Sequence, residues 1–564
     1  MPDQVKLAVS SALESFYERE RAHPDRVYLV QPRAAGGADE FTWAEVGDQA
    51  RRIAAYLRSL ELDAGSHIAL FSKNCAHWII ADLAIWMAGH VSVPIYPTLN
   101  NDAVRQILEH AQCQAAVIGK LDSWQTVRSS VYPDVPWIGL PLAPEDAGSL
   151  SWQRLLDTHE PLGDDRLPDP AAVATLVYTA GTSGPPKGVM LSFSAMYHAA
   201  NNWLRLFVID DEDRLLSYLP LSNVAERQFV EVASLLAGDT VFFVHSSNTF
   251  IRDMRRARPT VFFGVPRIWS KLQRSVYRRI PAVLLDTLLK IPLIRIIPAR
   301  IVLSRLGLNH IRYAVSGGAP PTDSMLRWFQ RLGMNLVEIY GMTENCGYSH
   351  LGRPKRFKSG WIGLPNPGVE CRLAENGELL IRSRATMMGY FRDPEATAQM
   401  LDEEGFLHTG DLGEVDKEGF LRIIGRARDL FTTRAGKVIS PGPIERLLDA
   451  SPLIEQSCVL GDNLPQPVAL VQLMEREAGT AATGDSVATE RLTELLLEIN
   501  KRLPRHQQLA SLVVIGDEWR MDNGFVTPTL KLKRHVVEAT YQDQLELWSV
   551  SGKRVLWQEA PEPV

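Results

Sequence analysis

Short apolar segments alternate with helical segments over the first part of the chain, and this alternation constrains the fold more than any other feature. Between about Phe41 and Gly119 the strand-like segments IALFS, SVPIY and AAVIG are separated by helical stretches, including an apolar one from Ala76 to Ala88. Such alternation is typical of parallel βαβ units, in which helices cover the sheet. The sequence therefore predicts an α/β fold.

The alternation returns after a connecting region rich in Pro, Asp and Gly from Leu121 to Pro170. A second α/β block is predicted by the segments ATLVY, LLSYLP, TVFFV, VFFGVP, IRYAVSGG and NLVEIYG. After Gly360, two strand-like runs flank Asn376-Gly377, a dipeptide that favours the positive backbone angles of a tight hairpin. We therefore expect a small β-barrel-like unit after the two α/β blocks.

A fresh αβ alternation begins after GRARD, at residues 425–429, and ends near Lys533. This pattern divides the chain into three parts. Residues 1–424 are predicted to form a large N-terminal domain of two α/β sub-blocks and the small β unit. Residues 425–429 are predicted to form a hinge, and residues 430–564 a small mobile α+β domain.

The composition excludes several classes of protein. The 564 residues are 45% hydrophobic and 22% charged, which is typical of a globular chain and not of a disordered one. A net charge of -6 provides no global positive field, so we expect no nucleic-acid partner. The five cysteines include no CxxC pair, which argues against a disulfide framework or a zinc ribbon. No signal peptide or membrane-spanning segment is visible, so we expect a cytoplasmic protein.

The segment from Tyr178 to Leu191, YTAGTSGPPKGVML, is the most specific motif in the chain. Its glycines let the backbone approach a phosphate closely, its hydroxyl groups can donate to phosphate oxygens, and its lysine supplies positive charge. It is not a Walker A loop, because Gly188 follows the lysine where that motif requires Ser or Thr. The predicted phosphate-binding residues are Thr179, Gly181, Thr182, Ser183, Gly184 and Lys187.

With six further segments, this loop resembles the adenylate-forming (AMP-binding) ligases, a superfamily that contains acyl-CoA synthetases, peptide-synthetase adenylation domains and beetle luciferases. The segments follow the order of the family: YLPLSNVAER at 218–227, SGGAP at 316–320, YGMTE at 340–344, HTGD at 408–411, GRARD at 425–429 and TPTLKLKR at 527–534. The resemblance spans roughly residues 41–534. It implies ATP, Mg²⁺ and the co-substrate CoA, and activation of a carboxylic acid through an acyl-AMP.

The resemblance assigns nucleotide-binding roles whose chemistry fits the residues. Tyr340 offers a flat face to a purine, and bare backbone at Gly317 and Gly318 can meet the adenine edge. Asp411 can accept hydrogen bonds from both ribose hydroxyls, with Arg426 nearby. The other residues implied to bind the nucleotide or CoA are Ala319, Gly341, Gly436 and Lys437.

The catalytic and metal-binding roles also follow from the resemblance. Thr343 supplies a hydroxyl for the α-phosphate, and Glu344 supplies a hard carboxylate suited to Mg²⁺, with Thr182 as a further metal ligand. Lys531 corresponds to the mobile lysine of the C-terminal domain, placed where negative charge accumulates between the substrate carboxylate and the α-phosphate. Arg428 lies at the position where that domain pivots.

The register of the lysine is open to question. Leu530 stands where the family usually has Gly, and Lys533 lies two residues after Lys531. The spacing of Thr527 and Arg534 around it favours Lys531 over Lys533.

Three residues are predicted to shape the acyl site. Asn223 stands where relatives commonly have His, at the mouth between the carboxylate and the thiol, and an amide cannot titrate. Glu226 and Arg227, with VPRIWSKL at 265–272, resemble the long-chain and very-long-chain fatty acyl-CoA synthetase branch. The alternative for Glu226 and Arg227 is a buried ion pair or an ordinary helix start.

The window 267–312 holds ten Lys or Arg residues and one acidic residue, Asp286, interleaved with Leu, Ile and Val. Such a stretch suits peripheral contact with an anionic inner-membrane surface, and it equally suits a solvated helical face. Both readings stay open, and a homodimer is compatible with either.

The acceptor is predicted from resemblance alone. The loop TTRAGKVISPGPIE after the hinge has the form found in acyl-CoA ligases, which favours CoA. The alternatives are an acyl-AMP ligase that loads an acyl carrier protein and a non-catalytic acyl- or nucleotide-binding protein. Lys187, Glu344 and Lys531, whose loss would favour the non-catalytic alternative, are all present.

Overall fold

The structure is a computed structural model, and it describes residues 11–130, 135–179, 186–291, 294–353, 356, 358, 360–474, 486–521, 523–527 and 531–558. Within these residues, no helix is long and apolar enough to cross a membrane.

The strands up to residue 430 are β1 Val27–Pro32, β2 Ala38–Thr42, β3 His67–Phe71, β4 Val91–Ile95, β5 Ala115–Ile118, β6 Trp137–Gly139, β7 Leu150–Ser151, β8 Val173–Thr179, β9 Lys187–Ser192, β10 Arg214–Ser217, β11 Thr240–Phe243, β12 Val261–Gly264, β13 Tyr313–Ser316, β14 Leu336–Tyr340, β15 His350–Leu351, β16 Leu364–Pro365, β17 Glu370–Leu373, β18 Glu378–Arg382, β19 Gly389–Tyr390, β20 Leu407–Val415 and β21 Leu421–Arg426. The later strands are β22 Phe431–Thr432, β23 Val438–Ile439, β24 Ile454–Leu460, β25 Val468–Leu473, β26 Leu512–Val514 and β27 Val555–Trp557.

The helices are α1 Ala12–Ala22, α2 Trp43–Ser59, α3 Ala76–Ala88, α4 Asn101–Ala111, α5 Trp124–Val127, α6 Trp152–Thr158, α7 Phe193–Phe207, α8 Val224–Glu226, α9 Ala233–Ala237, α10 Phe250–Ala257, α11 Pro266–Tyr277, α12 Ala282–Lys290, α13 Ile296–Leu306, α14 Asp323–Arg331, α15 Pro394–Met400, α16 Pro441–Asp449, α17 Ser486–Arg502 and α18 Arg534–Val550. Short 3₁₀ turns span Arg128–Ser130, Thr343–Asn345, Ala427–Asp429 and Arg505–Gln507. A π-helical segment spans Arg227–Val232.

The largest sheet has eight strands in the order β19-β9-β8-β4-β3-β5-β6-β7. Strand β3 pairs in parallel with β4 and β5, as the alternation of strands and helices predicts. Helix α3 is mostly apolar and is buried at every residue, including Asp82 and His77, as expected of a helix that lies within the core. The α/β fold class is confirmed.

The strands are distributed between the sheets differently from the sequence-based expectation. The segment ATLVY lies in β8, which pairs with β4 and β9 in the eight-stranded sheet and not with β10, β11, β12, β13 or β14. LLSYLP and TVFFV contribute β10 and β11, and β11 pairs with β1 near the start of the chain. An apolar run identifies a strand but not its partner, because strand pairing joins residues far apart in sequence.

Two further sheets complete the part before residue 427. A five-stranded sheet has the order β12-β13-β14-β15-β16, with β12, β13 and β14 parallel. The expected small β unit is a four-stranded antiparallel sheet in the order β17-β18-β20-β21. Its first hairpin turns through four residues, 374–377, and only Gly377 has a positive φ, of 82°.

The residues after 430 build their own sheet, in the order β24-β25-β26-β27. Their main core cluster runs from Phe431 to Val555 and includes no earlier residue. The contacts across residue 427 include the Ser440 hydroxyl, which donates to Ile424 O at 2.9 Å. The division at 425–429 stays a prediction that this core arrangement supports.

Candidate active site

Two neighbouring parallel strands bring the SGGAP and YGMTE segments to one edge of a sheet. Strand β13 ends at Ser316 and its parallel partner β14 ends at Tyr340. Ligands of open α/β sheets bind at the carboxyl ends of such strands. At Gly317 a Cβ atom would lie 2.7 Å from Ile339 Cγ1, and Gly318 has a φ of 82°. Gly317 is thus required because Ile339 approaches it closely, and Gly318 because its backbone is left-handed. Ala319 follows them at the surface.

The YGMTE turn is equally tight, and it buries its glutamate. A side chain at Gly341 would overlap the backbone of Gly347. The 3₁₀ turn from Thr343 is closed by the Cys346 N–H, which donates to Thr343 O at 3.1 Å. This turn holds Glu344 in the cleft, 7% exposed.

Glu344 lies beside two groups from the eight-stranded sheet. Its Oε1 accepts a hydrogen bond from the Tyr390 hydroxyl at 2.8 Å. The Lys187 Nζ lies 5.0 Å from the centre of the Tyr390 ring. Burial raises the pKa of Glu344, and the Tyr390 hydrogen bond opposes that shift. Tyr390 was not predicted, because its strand, β19, pairs with β9 from two hundred residues earlier, and no local pattern indicates this contact.

The carboxylate of Glu344 fits Mg²⁺ as one ligand among several. It is a buried acid, and the hydrogen bond from Tyr390 occupies only one of its carboxylate oxygens. No cluster of three or more His, Cys, Asp or Glu side chains able to hold a metal exists among the described residues. An ion held here would therefore take its remaining oxygen ligands from substrate phosphates and water, as is usual for Mg²⁺. The proposed ligand Thr182 lies outside the described residues.

Asp411 joins the cleft from the antiparallel sheet. Its Oδ2 accepts a hydrogen bond from the Tyr340 hydroxyl at 2.6 Å, and its Oδ1 lies 3.0 Å from Arg426 Nε. Asp411 and Arg426 are direct partners in the pairing of β20 with β21. Burial, and then the Asp411 charge, raise the pKa of Tyr340 well above its usual value. The structure thus links the expected adenine-binding and ribose-binding residues by one hydrogen bond.

Lys531 reaches this cleft from the C-terminal part of the chain. The Lys531 N–H donates to Thr527 Oγ1 at 3.0 Å, and the Thr527 N–H donates to Lys531 O at 2.8 Å. The surrounding protein, and then the Arg426 charge, lower its pKa to about 8, while Asp411 and Glu344 act in the opposite direction. Its side chain nonetheless contacts the solvent of the cleft. Lys531 therefore lies within electrostatic reach of both carboxylates.

Lys533 occupies a different place, at the start of helix α18, where its N–H donates to Phe525 O at 2.8 Å. This geometry favours Lys531 over Lys533 as the catalytic lysine.

Arg428 lies in the exposed 3₁₀ turn Ala427–Asp429, between the last strand of the β unit and the C-terminal part.

The other predicted nucleotide-binding residues are only partly described. Thr179 and Lys187 face each other at the open end of the β8–β9 pair, so the strands fix the two ends of the phosphate loop. Gly181, Thr182, Ser183 and Gly184 lie outside the described residues. Gly436 and Lys437 occupy an exposed turn between β22 and β23, where the Lys437 N–H bonds to Thr433 Oγ1 at 3.3 Å.

Asn223 caps the short helix α8, and its Oδ1 accepts from the Ala225 N–H at 2.9 Å. Tyr96, which sequence analysis missed, is close enough to Asn223 for its side chain to oppose the rise that burial causes in the Tyr96 pKa. Tyr96 directly follows β4, so a polar tip at the carboxyl end of a buried parallel strand was the available signal. Glu226 is buried, its Oε1 accepts from the Tyr218 N–H at 2.8 Å, and burial raises its pKa to about 8.

Arg227 lies in the core with partners of its own, so the structure adds no support to the prediction that it shapes the acyl site. Its Nη2 lies 2.6 Å from Asp82 Oδ2 and its Nε 3.3 Å from Glu231 Oε2. The guanidinium also lies 5.2 Å and 5.6 Å from the ring centres of Trp78 and Trp86. The buried ion pair, the alternative considered for this residue, is what the structure contains. The π-helical segment turns Arg227 into the core.

A small apolar cavity lies on the other side of that segment. Glu226 is the one acidic residue in its wall, where helix α7 and strands β10, β12 and β13 meet the π-helical segment. Its walls include Trp203, Phe207, Phe229, Phe263 and Val315. A lining of this kind suits an aliphatic chain.

Comparisons with known proteins bear on both parts of the chain. The profile described as "AMP-binding enzyme" matches residues 16–391, and the profile described as "AMP-binding enzyme C-terminal domain" matches residues 428–548. The long-chain-fatty-acid–CoA ligase FadD15 of Mycobacterium tuberculosis is 30% identical over 94% of this chain and 95% of its own length. The long-chain-fatty-acid–CoA ligase ACSBG2 of Gallus gallus is 28% identical over 94% of this chain and 80% of its own length.

Solved structures share the fold at lower identity. The anthranilate CoA ligase AuaEII in complex with anthranoyl-AMP has a TM-score of 0.78 and 18% identity, over 94% of this chain and 97% of its own. The adenylation domain of a carboxylate reductase from Mycobacterium chelonae has a TM-score of 0.79 and 21% identity, over 96% of this chain and 91% of its own. The architecture is therefore that of these proteins.

Proposed function

The chain belongs to the AMP-binding enzyme family, and on that premise we propose that it is an AMP-forming fatty acyl-CoA synthetase. In the first half-reaction a fatty acid and ATP give acyl-AMP and pyrophosphate. In the second, acyl-AMP and CoA give acyl-CoA and AMP. The observation that carries this proposal is the position of Lys531, within electrostatic reach of both Asp411 and Glu344.

In the first half-reaction the cleft binds and orients ATP. The backbone at Gly317 and Gly318 meets the adenine, Asp411 accepts the ribose hydroxyls, and Lys187 pairs with phosphate. Thr343 donates to the α-phosphate. Mg²⁺ held by Glu344 and phosphate oxygens would neutralise part of the phosphate charge.

Lys531 acts at the bond that forms. A carboxylate oxygen of the fatty acid attacks the α-phosphorus, and the bond from that phosphorus to pyrophosphate breaks. Negative charge gathers between two anions, so a preorganised cation stabilises the transition state more than the ground state. Burial lowers the pKa of Lys531 most, and the charges of Arg426 and Arg428 lower it further, so an anionic ligand in this cleft would favour the charged lysine.

The second half-reaction requires a different arrangement. The CoA sulfur attacks the acyl carbonyl carbon, its proton passes to solvent, and AMP leaves with the electrons of the broken acyl–phosphate bond. We propose that rotation at Arg428 withdraws Lys531 and opens a path for CoA, which the turn at Gly436 and Lys437 then lines. Asn223 and Tyr96 orient the acyl carbonyl by hydrogen bonding, without titration.

We propose a medium to very long fatty acid as the acyl substrate. The apolar walls around Phe229 and Phe263 suit an alkyl chain, and the relatives named above are called long-chain-fatty-acid–CoA ligases. The cavity is small, so the chain must displace side chains along its length.

The decisive experiment is acid-dependent ATP–pyrophosphate exchange across a panel from acetate to very long fatty acids and aryl acids, with nucleotide and thioester products identified. We expect exchange with fatty acids of medium length or longer, followed by AMP and acyl-CoA. ADP as the product would refute the proposal. Exchange without transfer to CoA, but with transfer to a carrier-protein thiol, would indicate the carrier-loading alternative, and no exchange with any acid would indicate a binding protein.

A further inference from the structure

The connection between β12 and β13 presents aliphatic side chains to solvent. Among the described residues, the two most exposed large hydrophobic side chains are Val283, 82% exposed, and Ile297, 69% exposed. We call the following set the aliphatic patch: Val283, Leu284, Ile294, Ile296, Ile297 and Ile301. These six exposed side chains lie within 19 residues of sequence, and clustered exposed apolar side chains are typical of interaction sites.

The two helices that carry the patch are anchored to the protein by their opposite faces. Helix α12 buries Leu285 and Leu289, and helix α13 buries Ala299, Val302 and Leu306. These buried residues belong to the core cluster formed with β12 and α14. The aliphatic patch is therefore a surface held outward by a packed scaffold.

Exposed cations lie on the same stretch of chain as the aliphatic patch. Six exposed basic residues lie on the same connection: Arg278, Arg279, Lys290, Arg295, Arg300 and Arg305. Within the described part of the chain, none of the six forms an ion pair with an acidic residue. The nearby acid, Asp286, accepts a hydrogen bond from the Tyr277 hydroxyl at 2.8 Å. The connection thus presents both aliphatic and positively charged side chains to solvent.

We propose that this surface docks the protein on an anionic lipid bilayer. The aliphatic side chains would enter the boundary between head groups and acyl chains, and the cations would pair with anionic head groups. A second copy of the chain fits poorly, because a two-fold interface would bring the same six cations of each copy towards each other. A nucleic acid would use the cations and leave the aliphatic side chains in water.

If the proposed function holds, docking through the aliphatic patch would also serve substrate binding. Strands β12 and β13, which the patch connection joins, contribute Val261, Phe263 and Val315 to the apolar cavity. Docking would hold that cavity close to the membrane, where a poorly soluble fatty acid partitions.

The test is cosedimentation of the purified full chain with vesicles, without ATP or CoA, so that its outcome is independent of enzymatic activity. We expect binding to phosphatidylcholine vesicles that contain phosphatidylglycerol, weaker binding to phosphatidylcholine alone, and loss of binding as salt screens the charges. The double variant Arg295→Glu/Arg300→Glu should weaken partitioning at least about tenfold. Its matched control, Arg105→Glu/Arg154→Glu, reverses two exposed arginines elsewhere and should bind like wild type.

The apolar contribution has its own pair of variants. Val283→Ser/Ile297→Ser should weaken binding to anionic vesicles at high salt, where the hydrophobic contribution dominates. Leu547→Ser/Val550→Ser, at positions 68% and 60% exposed on α18, is the control and should not. Unchanged near-UV circular dichroism excludes misfolding. The proposal would be overturned if wild-type protein did not bind anionic vesicles, or if the test and control pairs lost binding equally. It would also be overturned if the protein were a dimer that Val283→Ser/Ile297→Ser converts to monomer.

Discussion

Replacing Arg227 by Met should destabilise the N-terminal part strongly, because it leaves two buried carboxyl groups without their counter-charge. Asp82, Arg227 and Glu231 are each 0% exposed, and the ion-pair distances are 2.6 Å and 3.3 Å. Removing one member of such a group costs about 3–5 kcal/mol. Met retains much of the side-chain volume, so a cavity contributes little.

The assay is urea unfolding followed by tryptophan fluorescence, since Trp78 and Trp86 flank the guanidinium. Burial already raises the pKa of Glu231 and Arg227 opposes it, so the variant's carboxyl will bind a proton more readily when folded than when unfolded. Its loss of stability should therefore grow as pH rises from 5 to 8.

The control removes all three charges together, as Arg227→Met/Asp82→Asn/Glu231→Gln. It should recover much of the lost stability, because neutral groups carry no uncompensated charge. A single variant that loses under about 1 kcal/mol, or a triple variant no more stable than the single, would refute the reasoning.

Three further predictions concern the cleft. The kcat/KM of pyrophosphate exchange should fall as pH rises through about 8, because Lys531 then loses its proton. Lys531→Arg should shift this decline above about pH 10, and an unchanged pH profile would contradict the role of Lys531 in adenylation. Tyr340→Phe should raise the KM for ATP about tenfold, because the hydrogen bond that orients Asp411 is lost. An unchanged KM would show that Tyr340 does not orient Asp411 for ATP binding. Arg428→Pro lies in a 3₁₀ turn, a conformation whose typical φ is close to that of proline. It should keep exchange within about threefold of wild type and slow thioester formation at least about tenfold. Equal loss in both steps would contradict the hinge assignment.

The sequence predicts the cleft better than it predicts the core around it. Ser316 and Tyr340 each end an apolar strand, so their convergence follows from the parallel pairing of those strands. The places of Asp411 and Lys531 follow from the resemblance to the family, and no local pattern would have indicated them. Tyr390 was missed because its contact with Glu344 depends on strand pairing between distant segments.

Arg227 shows that neighbouring residues of one motif can lie in different surroundings that the sequence does not indicate. Glu226 and Arg227 are neighbours in sequence, but one lines the apolar cavity and the other points into the core. The π-helical segment that begins at Arg227 sets this division, and its extra residue per turn has no signature in hydrophobic periodicity. Asp82 lies 145 residues earlier, so its pairing with Arg227 could not be predicted locally.

The central claim is that Lys531 is the lysine of the acyl-adenylation step, and comparing Lys531→Ala with Lys533→Ala in separate half-reactions tests it most directly. We expect Lys531→Ala to slow pyrophosphate exchange by about 10²–10³-fold, as when one preorganised charge is removed, while preformed acyl-AMP still reacts with CoA at close to the wild-type rate. Lys533→Ala should leave both half-reactions within about threefold of wild type, because its lysine lies at a helix start outside the cleft. Equal exchange by wild type and Lys531→Ala, or a larger loss in Lys533→Ala, would contradict the account.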